Sequence, residues 1–149
     1  MLDRFGTYTR FVSCFPVHTS AALAEILKID VSAVLQWKAL KRQIPWEWLK
    51  IVVDTQVISW DWLLEGVEPK ISPYRIGKRP TALNPRLINK RFFAQFPDMS
   101  QAQIAKEVGV SQTSVYRWHK GTIIVKRECL KHAVDQKGTT WEWLLEGRK

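Results

Sequence analysis

The chain has 149 residues, 46% of them hydrophobic and 25% charged, with a formal net charge of +9. That balance suits one ordinary domain or two very small ones and excludes a disordered or fibrous chain. No stretch reaches the ~18 apolar residues of a membrane span, and the surplus of 23 Lys and Arg over 14 Asp and Glu points to a polyanionic partner.

In chain order the predicted elements are short helices divided by capping and turn residues. The opening MLDRFGTYTRFVSC has an acid at position 3 and no apolar core, so no signal peptide is expected. Asp3, Thr19, Asp30, Pro45 and Ser59 stand at the starts of five helices, where each caps orphan N–H groups or pre-sets the first turn. Pro69, Pro73, Pro80 and Pro85 then oppose regular structure. This predicts a basic, Pro-rich linker over 68–84 between domains at 1–67 and 85–149. Asn84 followed by Pro85 opens a helix expected to reach Phe96, where Pro97 stops it. Ser100 with Gln103 forms a capping box for a helix over 101–108. Gly109 ends that helix, Ser111 caps another over 112–120, and Gly121 closes it. A helix near 126–137 ends at Gly138, and Thr139 or Thr140 caps a last one ending at Gly147. No run alternates at period two for long enough to make a sheet, so the expected class is all-α.

The chain is written twice. A shift of 81 residues aligns Arg10–Gly66 with Arg91–Gly147 without a gap, and 19 of the 57 pairs are identical. Both copies end alike, as WDWLLEG at 60–66 and WEWLLEG at 141–147. Two homologous domains of about 60 residues lie near the lower limit for independent folding. The eight Trp supply the large side chains that such small cores need. Trp48 aligns with Cys129, so the two cores must be packed differently; Trp60 and Trp62 cannot both point inward on one helix, and one is expected to pack between domains or between chains. Charge divides unevenly. Residues 1–66 carry seven basic and seven acidic side chains, whereas 67–90 carry a net +5 and 91–149 a net +4. The anion-binding half is therefore expected to be the C-terminal one.

Residues 101–120, QAQIAKEVGVSQTSVYRWHK, have the spacing of two helices crossing over a tight turn. Ala105 is small where the helices touch, and Gly109 supplies left-handed backbone. Ile104, Val108, Val110, Val115 and Trp118 form an apolar inner face. Leu23, Ala24, Leu27, Ile29, Val34 and Trp37 repeat it in the first copy.

At IPWEWLKIVVDTQVISWDWLLEG (44–66) and SQAQIAKEVGVSQTSVYRWHKG (100–121) the chain resembles the helix-turn-helix domain of bacteriophage CI-type repressors, of lambda and 434 type. The resemblance covers about 57 residues in each copy. It implies two tandem five-helix repressor-like domains whose third helix enters the major groove of double-stranded DNA. No counterpart of the cleavage or dimerisation domain usual in such repressors is expected in these residues, so its catalytic residues are not carried over.

Carried over residue by residue, the base-reading positions are Gln112, Thr113 and Arg117. Gln can pair with adenine, Arg with guanine, and the Thr methyl can meet a thymine methyl. Gln101 matches a phosphate-clamping glutamine. Ser111, Ser114, Lys120 and Thr122 can hold flanking phosphates, although any exposed helix also shows a solvated polar face. In the first copy the reading positions become Val31, Ser32 and Gln36. Ser20 stands for the clamping glutamine, and Lys28 stands for the turn glycine at a cost of roughly 1–2 kcal/mol. Ser32, Gln36, Lys38, Lys41 and Arg42 remain DNA candidates there, against a structural or self-association role. Lys78 and Arg79, in Gly77-Lys78-Arg79-Pro80, resemble basic arms that lie in A·T-rich minor grooves; the alternative is a solvated linker.

His18, His119 and His132 are scattered, and Cys129 with His132 makes only half a metal site, so neither metal nor cofactor is expected. No nucleophile motif or phosphate-cradling loop appears, and the expectation is a non-enzyme. Cys14 and Cys129 cannot form a disulfide framework and fit a reducing cytoplasm. These readings lead to a sequence-specific transcriptional regulator. Two rivals use the same residues: a DNA-recognition subunit of a transposition or recombination complex, and a protein-interaction adaptor or antirepressor with degenerate helix-turn-helix folds.

Overall fold

The computed structural model describes residues 2–72, 75 and 82–148. It is all-helical and divides into two units, Leu2–Ala82 and Leu83–Lys149. The first holds α1 (Arg4–Ser13), α2 (Ser20–Leu27), α3 (Val31–Lys38), α4 (Trp46–Thr55) and α5 (Trp60–Glu65). The second holds α6 (Pro85–Phe93), α7 (Gln101–Val108), α8 (Gln112–Lys120), α9 (Arg127–Lys137) and α10 (Trp141–Glu146). Among the described residues there is no strand, only an isolated antiparallel bridge between Ile58 and Ile71. No described helix is long and apolar enough to cross a membrane.

The expected caps are in place. Asp3, Thr19, Asp30, Pro45 and Ser59 precede α1 to α5, and all but Pro45 accept a backbone N–H on the side chain. Ser100 and Gln103 form the reciprocal capping box of α7. One end differs: α6 stops at Phe93, and Ala94–Phe96 turn away through 3₁₀-type bonds such as Gln95 N–H to the Phe92 carbonyl. Thr140, rather than Thr139, caps α10.

In each unit the first helix packs on the last, and the second packs on the third. Phe11, Leu23, Ala24, Val34, Trp37, Leu49, Trp60 and Leu63 are buried in the first unit, as are their counterparts Phe92, Ile104, Ala105, Val115, Trp118, Leu130, Trp141 and Leu144 in the second. Trp60 and Trp141 are fully buried. At ~200 Å² each and ~25 cal/mol per Å², each removes surface worth about 5 kcal/mol. Trp62 and Trp143, two residues on, are only half-buried. Val108, Val110 and Ile29, expected on the inner face, are also half-buried.

The shared WxWLLEG ending has a mechanical reason. Arg10 Nε donates to the Leu63 carbonyl at 2.9 Å, and Arg91 Nη1 donates to that of Leu144 at 3.1 Å. The nearest guanidinium nitrogen lies 3.1 Å from where a Cβ on Gly66 would be and 3.0 Å from where one on Gly147 would be, and both glycines have φ near +70°. A side chain at either position would push on the arginine by a few tenths of an ångström and strain the backbone.

Part of the expected linker packs on the first unit. Ser59 N–H donates to the Lys70 carbonyl and Ser72 N–H to that of Val57, both at 2.8 Å. Lys70 Nζ lies 4.8 Å from the centre of the Trp62 ring. Arg75, whose side chain is 3% exposed, reaches Asp54 Oδ1 at 3.2 Å, and Lys50 Nζ meets the same oxygen at 2.9 Å. Residues 67–72 together with Arg75 thus act as a strap on the α4–α5 corner.

Candidate nucleic-acid interface

α8 projects two opposed faces. Val115 and Trp118 are buried at 0% and 2% exposure, and they fix the helix's rotation. At 100° per residue, Gln112, Thr113, Tyr116, Arg117 and Lys120 then share an outward arc of about 140°. All five are exposed. The expected reading residues Gln112, Thr113 and Arg117 therefore lie on one face, with Lys120 beside them.

The remaining expected phosphate contacts surround that face unequally. Gln101 is half-buried at the start of α7 and Thr122 is exposed beyond α8. Ser111 and Ser114 are engaged with each other: the Ser111 hydroxyl accepts the Ser114 N–H at 3.2 Å and lies 3.1 Å from its hydroxyl. Their first task is to cap α8. In the first unit Ser32, Lys38, Lys41 and Arg42 are exposed and Gln36 is half-buried. Lys78 and Arg79 lie outside the described residues.

Four residues that sequence reasoning passed over belong to this surface. Tyr116 is 52% exposed on the outward arc, with Lys120 Nζ 4.9 Å from its ring centre. Arg86 and Lys90, one turn apart on α6, line an open cleft of about 290 Å³ with His119 and Gly121 at the end of α8. His119 stacks flat on Phe93, with ring centres 3.7 Å apart. Asn89, 2% exposed, positions the rest. Its Nδ2 donates to the carbonyls of Trp118 at 2.9 Å and Ile123 at 2.7 Å, and its Oδ1 accepts the Val125 N–H at 3.0 Å. That clamp fixes where α8 ends and how the chain leaves it. An asparagine between the core residues Ile88 and Phe92 was the available signal. Arg86 and Lys90 show themselves by their i, i+4 spacing on the other side of the same helix.

Electrostatics distinguish this surface from the rest of its unit. The ion pairs Lys131–Asp135, His132–Glu107 and Lys137–Glu107 lie elsewhere, on α7 and α9. Burial acts to raise the Glu107 carboxyl, but hydrogen bonds from His132 and Lys137 outweigh it and hold the group below its ordinary value. Among the described residues Arg86, Lys90, Arg117 and Lys120 have no ion pair. Their cationic groups face solvent with no carboxylate to neutralise them. No group of three or more His, Cys, Asp or Glu among the described residues is placed to hold a metal ion.

The turn before α8 uses Gly109 at φ +76°, and the turn before α3 uses Lys28 at φ +59°, the left-handed geometry expected of both. Leu40 and Val57 are left-handed as well, opposite Gly121 and Gly138 in the repeat. Neither was expected. The first unit keeps the second unit's backbone at three glycine positions without the glycines. Comparison with protein-family models, curated proteins and solved structures finds no match to this chain.

Proposed function

We propose that the chain is a sequence-specific double-stranded DNA-binding regulator of phage-repressor type, built from two tandem repressor-like helix-turn-helix units. In this reading α8 enters the major groove, and Gln112, Thr113, Tyr116 and Arg117 meet base edges. Arg86, Lys90 and Lys120 hold phosphates on either side. The protein binds rather than catalyses, and acts in the cytoplasm, where Cys14 and Cys129 stay reduced. One observation carries the proposal: the outward arc of α8 is polar and cationic, is free of carboxylates, and continues into the unpaired Arg86 and Lys90.

Selection of bound sequences from a random duplex pool tests it, followed by mobility-shift titration of the enriched site. Arg117→Ala should cost about 1–3 kcal/mol and relax base choice at one position. A pool with no enriched sequence, or an affinity indifferent to Arg117→Ala, removes the reading. The adaptor reading draws on a separate observation, the uncharged outward arc of α3, and predicts a protein complex without salt-sensitive DNA binding.

A further inference from the structure

The repeat places unlike chemistry on the same scaffold. Where the second unit has Gln112, Tyr116, Lys120, Gly121 and Arg86, the first has Val31, Leu35, Ala39, Leu40 and Phe5. Phe5 is 67% exposed, Val31 39%, Leu35 48% and Leu40 37%. These residues are neighbours. Val31, Leu35 and Ala39 follow one another at i, i+4 spacing along α3. Arg4 Nη1 reaches the Leu40 carbonyl at 3.5 Å, which brings the start of α1 to the end of that stripe. Single exposed apolar residues are ordinary; an apolar stripe replacing a polar one at matched positions marks a surface that another protein covers.

We infer that this face binds a second copy of the chain, first unit to first unit, with α3 antiparallel to its mate across a two-fold axis. The charge pattern favours that occupant. Between Asp30 and Lys38 the helix carries no charge, and its two ends have opposite sign. With Leu35 of each copy on the axis, Val31 meets Ala39. Asp30, five residues or about 7.5 Å from the axis, then falls opposite the Lys38–Lys41 end of the mate. Among the described residues Lys38 and Lys41 have no ion pair within their own chain. Residues 1–66, which hold the whole stripe, are neutral overall and residues 2–82 carry a net +3, so two first units repel each other less than two second units, at +6 each, would. The stripe is small beside the ~800 Å² per partner of a standard interface, so the dimer should exchange with monomer in the micromolar range. The inference goes beyond the DNA reading and does not depend on it.

Sedimentation velocity of the full chain without DNA, over a concentration series, tests the contact. A shift from monomer to dimer is expected. Leu35→Glu should abolish it and Lys38→Glu should weaken it at least tenfold, while Ile123→Glu, on the exposed surface of the second unit, leaves it unchanged. Circular dichroism should show the same helix content in all three variants, since each replaced side chain is exposed. A monomer at every concentration overturns the inference, as does a dimer indifferent to Leu35→Glu. A monomer whose DNA affinity falls with Leu35→Glu would place DNA on this face and overturns it too. Loss of DNA binding with dimerisation intact counts only against the function proposed above.

Discussion

Left-handed backbone at a residue with a Cβ costs about 1–2 kcal/mol, and the first unit bears that cost at Lys28, Leu40 and Val57. Val57 is β-branched, the least tolerant type. Lys28 is the clean test because its side chain is exposed. Lys28→Gly relieves the strain but gives back roughly 0.5–1 kcal/mol in chain entropy, so a net gain of about 0.5–1 kcal/mol is expected. Gly109→Ala should do the reverse. A Cβ there meets nothing within 4 Å, so only the backbone term acts, and a loss of about 1 kcal/mol is expected. Urea titration of each variant measures both. A stability loss for Lys28→Gly would mean that its side chain makes a compensating contact.

At the scale of elements, the paired aspartates separate buried from exposed ion pairs. Asp54 joins Lys50 and Arg75, all three side chains at most 11% exposed, whereas Asp135 pairs with Lys131 while 38% exposed. Removing one partner from a buried cluster strands the others, so Asp54→Ala should destabilise the first unit by about 3–5 kcal/mol. Asp135→Ala should cost the second about 0–1 kcal/mol. Amide exchange at Ser59 and Ser72, whose N–H groups tie the strap down, reads the first effect directly. The same corner shows what the amino-acid order conveys. Helix starts were legible because Thr19, Asp30, Ser59, Ser100 and Ser111 each satisfy an N–H within three residues. The turn at Lys28 was legible because the repeat set it opposite Gly109. The strap was not, since proline marks where helices fail and says nothing of a distant carboxylate that will receive Arg75. Leu40 and Val57 went unnoticed because neither residue type favours the geometry that packing imposes. At the candidate site, Gln112 and Arg117 followed from their spacing to Val115 and Trp118. The α6 contribution of Arg86 and Lys90 required knowing that α6 packs alongside the tail of α8.

Across the whole molecule the charge is segregated, with residues 1–66 neutral and the full +9 carried by 67–149. Polyanion binding should therefore respond chiefly to the second unit, whose residues 83–149 carry +6 of the total. Each neutralised phosphate contributes close to one unit of slope in the salt dependence of affinity. Arg86→Ala with Lys90→Ala should flatten that slope by about 2 without changing the preferred sequence. Phe5→Ala with Thr9→Ala, at the matching positions, should leave the slope as it was; mobility shifts across a potassium chloride series give both values. The strap also bears on biosynthesis. Arg75 completes a cluster begun by Lys50 and Asp54, so a nascent chain that has emerged only as far as Gly66 still lacks its closing cation. The leading half of the protein then matures after the ribosome has moved well into the connector. A truncation after residue 66 would yield a looser product than one after residue 82.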